Sequence, residues 1–105
     1  MKVIIEGHRY QLDQFEPCVE GTEQRIQFIQ KSPVTEGSTE LKTINNGTTN
    51  EEVLAVLINR MQHLQSKFPC RENAIVTTKL EECLMWLNKR TADRMARNVE
   101  GKQIA

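Results

Sequence analysis

Arg90, Arg94 and Arg97 recur at i, i+4 and i+7 near the end of a long amphipathic stretch. That spacing puts three guanidinium groups on one face of a helix. A guanidinium meets a phosphate or carboxylate with two parallel N–H···O bonds, so the pattern points to an anion site. Glu81 and Glu82 precede the arginines, and Lys89 adds to them against a single Asp93. A basic helix C-terminus is partly explained by the macrodipole. Three arginines in register exceed what a cap needs. The plainer alternative is a solvated face with ion pairs to Asp93 and Glu100.

Other chemistries find little support. His8 and His63 are the only histidines, and neither has a carboxylate at ligand spacing, which argues against a metal centre. Cys18, Cys70 and Cys83 are odd in number and form no Cys-x-x-Cys pair, so reduced thiols without a catalytic role are expected. No nucleophile–base pair and no Gly-rich phosphate loop is readable. Trp86 and Met85 fit a helix–helix or subunit interface better than a ligand stack. Asn73 is a candidate helix cap or a ligand-reading amide. The 14 basic and 14 acidic residues balance to a net charge of zero. That composition disfavours a sequence-independent coat on polymeric nucleic acid. No signal-peptide pattern follows Met1, and no apolar run reaches membrane-spanning length.

The elements that must hold these residues follow from periodicity. The chain of 105 residues has room for one domain with a modest core. Residues 1–47 read as β-rich and 48–101 as a helical hairpin. Lys2 to Glu6 and His8 to Leu12 flank Gly7, the signature of a tight hairpin. Gln24 to Gln30 alternates polar and apolar and reads as one strand. Ser32-Pro33 and Glu36-Gly37-Ser38 read as turns, and Glu40 to Ile44 as a weaker strand. The expected result is an antiparallel meander of three or four strands, which needs a helix or a second subunit against it.

Thr49 with Glu52 forms a capping box for a first helix. Its stripe is Val53, Leu54, Leu57, Met61 and Leu64, widened by Val56 and Ile58. Pro69 closes it. A second helix starts near Cys70 to Asn73, with a stripe of Val76, Leu80, Cys83, Leu84, Leu87 and Thr91. It ends where Asn98 or Gly101 takes a left-handed cap. The fold class is therefore α+β: a small N-terminal antiparallel sheet, then a two-helix hairpin that oligomerises through its helices. Asn73 and Arg90 lie roughly 26 Å apart along one helix at 1.5 Å per residue. They cannot share one small ligand within a chain. Two copies packed antiparallel would bring Asn73 of one to Arg90 and Arg94 of the other, twice by symmetry.

Cys-Arg-Glu-Asn-Ala at 70–74, Thr-Lys-Leu-Glu-Glu at 78–82, Leu-Met-Trp-Leu at 84–87, Arg-Thr-x-Asp-Arg at 90–94 and Val-Glu-Gly at 99–101 resemble the C-terminal hairpin of phage Thoeris anti-defence sponges. A related hairpin occurs in anti-CBASS sponges. The strand-rich front half is similar in layout to the Thoeris type. The resemblance implies a non-enzymatic protein without cofactor. Such a protein binds cyclic ADP-ribose isomers made by TIR-domain proteins and holds them uncleaved in the cytoplasm of the infected bacterial host. It also implies a homodimer that assembles to a hexamer, with a separate site for cyclic di- or trinucleotides. Family binding residues carry over to Asn73, Arg90 and Arg94. A wall near the hairpin turn carries over to His63, Leu64 or Phe68, with Arg71 beside it. This chain departs from the family pattern at Lys102, where threonine is usual, and at Cys83, where alanine is usual. The competing class is a protein–protein inhibitor or adaptor that docks a host protein through the hairpin. A signal-degrading enzyme is a weaker reading for want of a catalytic cluster.

Overall fold

The computed structural model describes residues 1–98, 100, 102 and 104. Two compact units divide the chain, Met1–Thr49 and Asn50–Ala105.

The first unit holds five short strands in two sheets, not one meander. Strands β1 (Lys2–Ile5), β2 (Arg9–Gln11) and β3 (Arg25–Gln27) pair antiparallel in the order β1-β2-β3. Gly7 supplies the expected turn at φ 75°, a conformation that costs glycine little. Tyr10 stands opposite Ile26 across β2 and β3. Its ring meets Phe28 edge-to-face at 6.1 Å between centroids. Strands β4 (Gln30–Pro33) and β5 (Leu41–Asn45) form a separate antiparallel pair.

Two expectations change here. The single strand over Gln24 to Gln30 breaks at Phe28 and Ile29, because the backbone changes partners. Phe28 N–H donates to the His8 carbonyl, and Ile29 N–H donates to the Thr48 carbonyl. Ser32 and Pro33 are strand, not turn, paired with Lys42 and Leu41. A two-stranded sheet has an open side on each strand, which tolerates a proline without an N–H. Gly47 holds the crossing beside Phe28. A Cβ there would stand 2.7 Å from the Phe28 carbonyl carbon and closer still to the Gln27 carbonyl oxygen.

The second unit is the helical hairpin. Helix α1 (Asn50–Lys67) has 18 residues and α2 (Arg71–Ala96) has 26. Glu51 and Glu52 sit in the first turn of α1, where the dipole favours them. Cys70 is the N-cap of α2. Its sulfur accepts the Asn73 backbone N–H at 3.4 Å, so Asn73 is not the cap. Gln65 Oε1 accepts the Cys70 N–H at 3.0 Å and ties the turn to α1. At the far end Asn98 takes the left-handed conformation at φ 58°. The alternative cap, Gly101, lies outside the described residues.

The stripes differ from the apolar periodicity. On α1 the covered positions are Glu51, Val53, Leu54, Ile58, Met61, Leu64 and Gln65, while Val56 and Leu57 stay exposed. On α2 they are Asn73, Thr77, Leu80, Leu84, Leu87, Thr91 and Arg94. These seven recur at alternating spacings of four and three, an a/d seam with three polar members and one charged. Val76 and Cys83, expected in the stripe, are exposed. Among the described residues no hydrophobic side chain is fully buried.

Candidate functional site

Helix α2 exceeds α1 by eight residues, the difference between 26 and 18. The hairpin therefore has two distinct ends, and the sequence-derived site residues divide between them. Leu64, Phe68, Arg71 and Asn73 lie at the turn. Arg90 and Arg94 lie at the overhang of α2. On one helix these groups stay roughly 26 Å apart or more.

At the turn, Asn73 is half-buried on the inner seam, and its carbonyl accepts the Thr77 hydroxyl at 2.9 Å. Leu64 is half-buried near the end of α1, and its carbonyl takes the Phe68 N–H at 2.8 Å. His63 and Phe68 are exposed. A groove here is lined by Gln62, Gln65, Ser66, Ala74, Thr77 and Thr78. A second depression shares Ala74 and Thr78 and adds Arg71, Ile75 and Lys79. The groove is open and mostly apolar, with a few amide and hydroxyl groups at its edge, the make-up of many small-molecule sites. Sequence reasoning did not single out Gln62, Gln65 or Thr77. The signal was present in the Thr77-Thr78 pair, which is out of place on an apolar helix stripe.

At the overhang the three arginines share a face but not an environment. Arg90 is exposed. Arg97 pairs with Asp93 at 3.3 Å, i to i+4, while half-exposed. Arg94 is 4% exposed, the only buried polar or charged residue among those described. Its Nε donates to Glu100 Oε2 at 3.1 Å, its Nη2 to the Lys102 carbonyl at 2.8 Å, and its Nη1 to the Ile104 carbonyl. The ion pairs weighed as the plain reading of Arg94 and Arg97 thus exist. A buried guanidinium is tolerated only when its charge and donors are matched in this way.

A different surface connects the two ends. Glu72, Val76, Lys79, Cys83, Trp86 and Arg90 recur at alternating spacings of four and three, one residue out of phase with the inner seam. All are exposed, Val76 by 42% and Trp86 by 62%. One residue corresponds to a rotation of roughly 100° about the helix. The outer seam therefore runs beside the inner one along the whole of α2. Among the described residues no group of three or more His, Cys, Asp or Glu could hold a metal ion. No described helix is long and apolar enough to cross a membrane.

A strand-rich lead-in, an unequal helical hairpin and a C-terminal arginine cluster define a class of small hairpin proteins. Residues 20–92 match the family model "Acb2/Tad1, hairpin domain", and the chain belongs to that family. It is 55% identical over 74 residues to Thoeris anti-defense 1 of Bacillus phage SBSphiJ7, which covers 70% of this chain and 48% of that relative. The chain spans about half the length of the curated relative it matches. The family match includes Asn73 and Arg90 and stops short of Arg94 and Glu100.

Proposed function

We propose that this protein is a phage anti-defence sponge. It binds cyclic nucleotide immune signals, chiefly cyclic ADP-ribose isomers made by TIR-domain proteins, and sequesters them without cleavage in the cytoplasm of the infected bacterial host. Membership of the hairpin family and the likeness to a Thoeris anti-defence protein support the reading.

The observation that carries it at residue level is the outer seam. Its members are symmetric about position 81. In an antiparallel pair of α2 helices Glu72 faces Arg90, Val76 faces Trp86 and Lys79 faces Cys83, each across the two-fold axis. Opposite charges meet at both ends, Val76 meets Trp86 inside them, and at the centre the Lys79 stem lies beside Cys83, in the pairing of antiparallel a–d layers. The same register brings Asn73 within one helical turn of Arg90 of the partner subunit. Two equal pockets result. In each, Asn73 reads a base or ribose, and the arginines hold the pyrophosphate. Arg71, Leu64 and Phe68 line the wall at the turn. Each charge-assisted contact to phosphate contributes about 1.5–3 kcal/mol. Further assembly to a hexamer would build the separate site for cyclic di- or trinucleotides.

The test is calorimetry of the protein against cyclic ADP-ribose isomers and a panel of cyclic di- and trinucleotides, followed by heating the complex and identifying what is released. Tight binding with intact release is expected. Altered ligand would mean an enzyme. No binding across the panel, with capture of a host protein through the hairpin, would replace the sponge with an inhibitor or adaptor.

A further inference from the structure

The chain beyond α2 returns to the helix it leaves. Glu100, Lys102 and Ile104 all contribute an oxygen to one guanidinium, that of Arg94. The three acceptors use Nε, Nη1 and Nη2 together, so every nitrogen of the fork is engaged. A carboxylate on one side and carbonyls on the other present oxygens to a guanidinium much as a phosphate would. At 4% exposure, Arg94 cannot meet a ligand oxygen unless something covering it withdraws.

We infer that Glu100, held with Lys102 and Ile104 on Arg94, is a tethered counter-ligand standing in place of a phosphate. The inference rests on the proposed function for the identity of the true ligand. Without ligand the strap satisfies a charge that would be costly to bury alone. When a phosphate arrives, Glu100 leaves first. Its side chain is 43% exposed and so has solvent to enter, whereas the guanidinium has almost none. Binding is then an exchange of one anionic contact on Arg94 for another. Arg90, which is exposed, is the first contact, and Arg94 joins after the exchange. Glu100 thereby sets affinity: a carboxylate on the strap lowers it, and a neutral group raises it.

The test compares wild type, Glu100→Gln, Glu100→Ala and Arg94→Ala in the same chain, with inorganic pyrophosphate and cyclic ADP-ribose as probes. Circular dichroism confirms that each variant keeps the hairpin. Glu100→Gln and Glu100→Ala are expected to bind pyrophosphate about two- to fivefold more tightly, the effect of removing one partly exposed competing charge. Pyrophosphate added to wild type should shift the carboxyl carbon resonance of Glu100 towards that of a solvated glutamate. Equal or weaker binding by both Glu100 variants, or an unmoved Glu100 resonance at saturation, overturns the inference. So does unchanged binding by Arg94→Ala. A wild type that takes pyrophosphate with release of Glu100 but no cyclic nucleotide would remove the sponge reading and leave the strap standing. Tight cyclic ADP-ribose binding with Glu100 still on Arg94 would do the reverse.

Discussion

Asn73 and Arg94 occupy the same seam of α2, three heptads apart, one half-buried at the hairpin turn and the other buried at the overhang. A rigid helix holds them roughly 31 Å from each other. If both read one small ligand, they do so from different chains. Mixing an Asn73→Ala chain with an Arg90→Ala chain tests this. Each variant alone should lose cyclic ADP-ribose binding by at least tenfold. The mixed dimer should recover one high-affinity site, because one of its two pockets keeps both native residues. Calorimetric stoichiometry reads the result, and no recovery would mean that Asn73 and Arg90 do not share one ligand across the two chains.

The symmetry of the outer seam predicts a covalent trap. In the antiparallel register Lys79 faces Cys83 of the partner subunit. A Lys79→Cys variant should form interchain disulfides under mild oxidation, two per dimer. Non-reducing electrophoresis and peptide mapping detect them. Linkage of residue 79 to Cys18 or Cys70 instead would refute the register.

Gly47 is required by space. Its φ is ordinary, but a methyl group there would press on the backbone of Gln27 and Phe28. Thr48 N–H donates to the Gln27 carbonyl at 2.8 Å just beyond it, so neither side has room to yield. Gly47→Ala should cost about 1–3 kcal/mol. The loss should appear as a lower denaturation midpoint in the strand-rich unit, with helix signal at 222 nm retained.

Cys70 caps α2 through a sulfur, a weak acceptor. Serine offers a better one in the same place. Cys70→Ser should stabilise the hairpin, and Cys70→Ala should destabilise it by about 0.5–1 kcal/mol. Thermal melts of the two variants should bracket wild type. Equal melting of all three would show that the cap contributes nothing.

The helices were readable because their signals are local. Proline at 69, the acidic first turn of α1 and the left-handed Asn98 all act within a few residues of themselves. The strands were harder. Pro33 resembled a turn because the open edge that accommodates it depends on where β5 lies. The break at Phe28 depends on His8 and Thr48, both remote in the chain. On α2 an apolar count merged two seams into one stripe. The inner seam recruits Asn73, Thr77, Thr91 and Arg94, which hydrophobicity does not mark. Arginine spacing correctly placed three guanidinium groups on one face. It carried no information about the acceptors on Glu100, Lys102 and Ile104, because these follow the helix and fold back.

The one-residue offset between the seams makes α2 a ruler with a strict unit. Inserting or deleting a single residue would turn all that follows by roughly 100° and take both seams out of line beyond that point. An insertion before Val76 would turn Val76 and Lys79 to the covered face and carry Leu80 and Leu84 off it. Seven residues inserted near position 81 should restore both seams. In the proposed antiparallel dimer, such a chain would keep both pockets and move them about 10 Å farther apart. In that dimer the length of α2 would set pocket spacing separately from pocket chemistry, adjustable only in steps of a heptad.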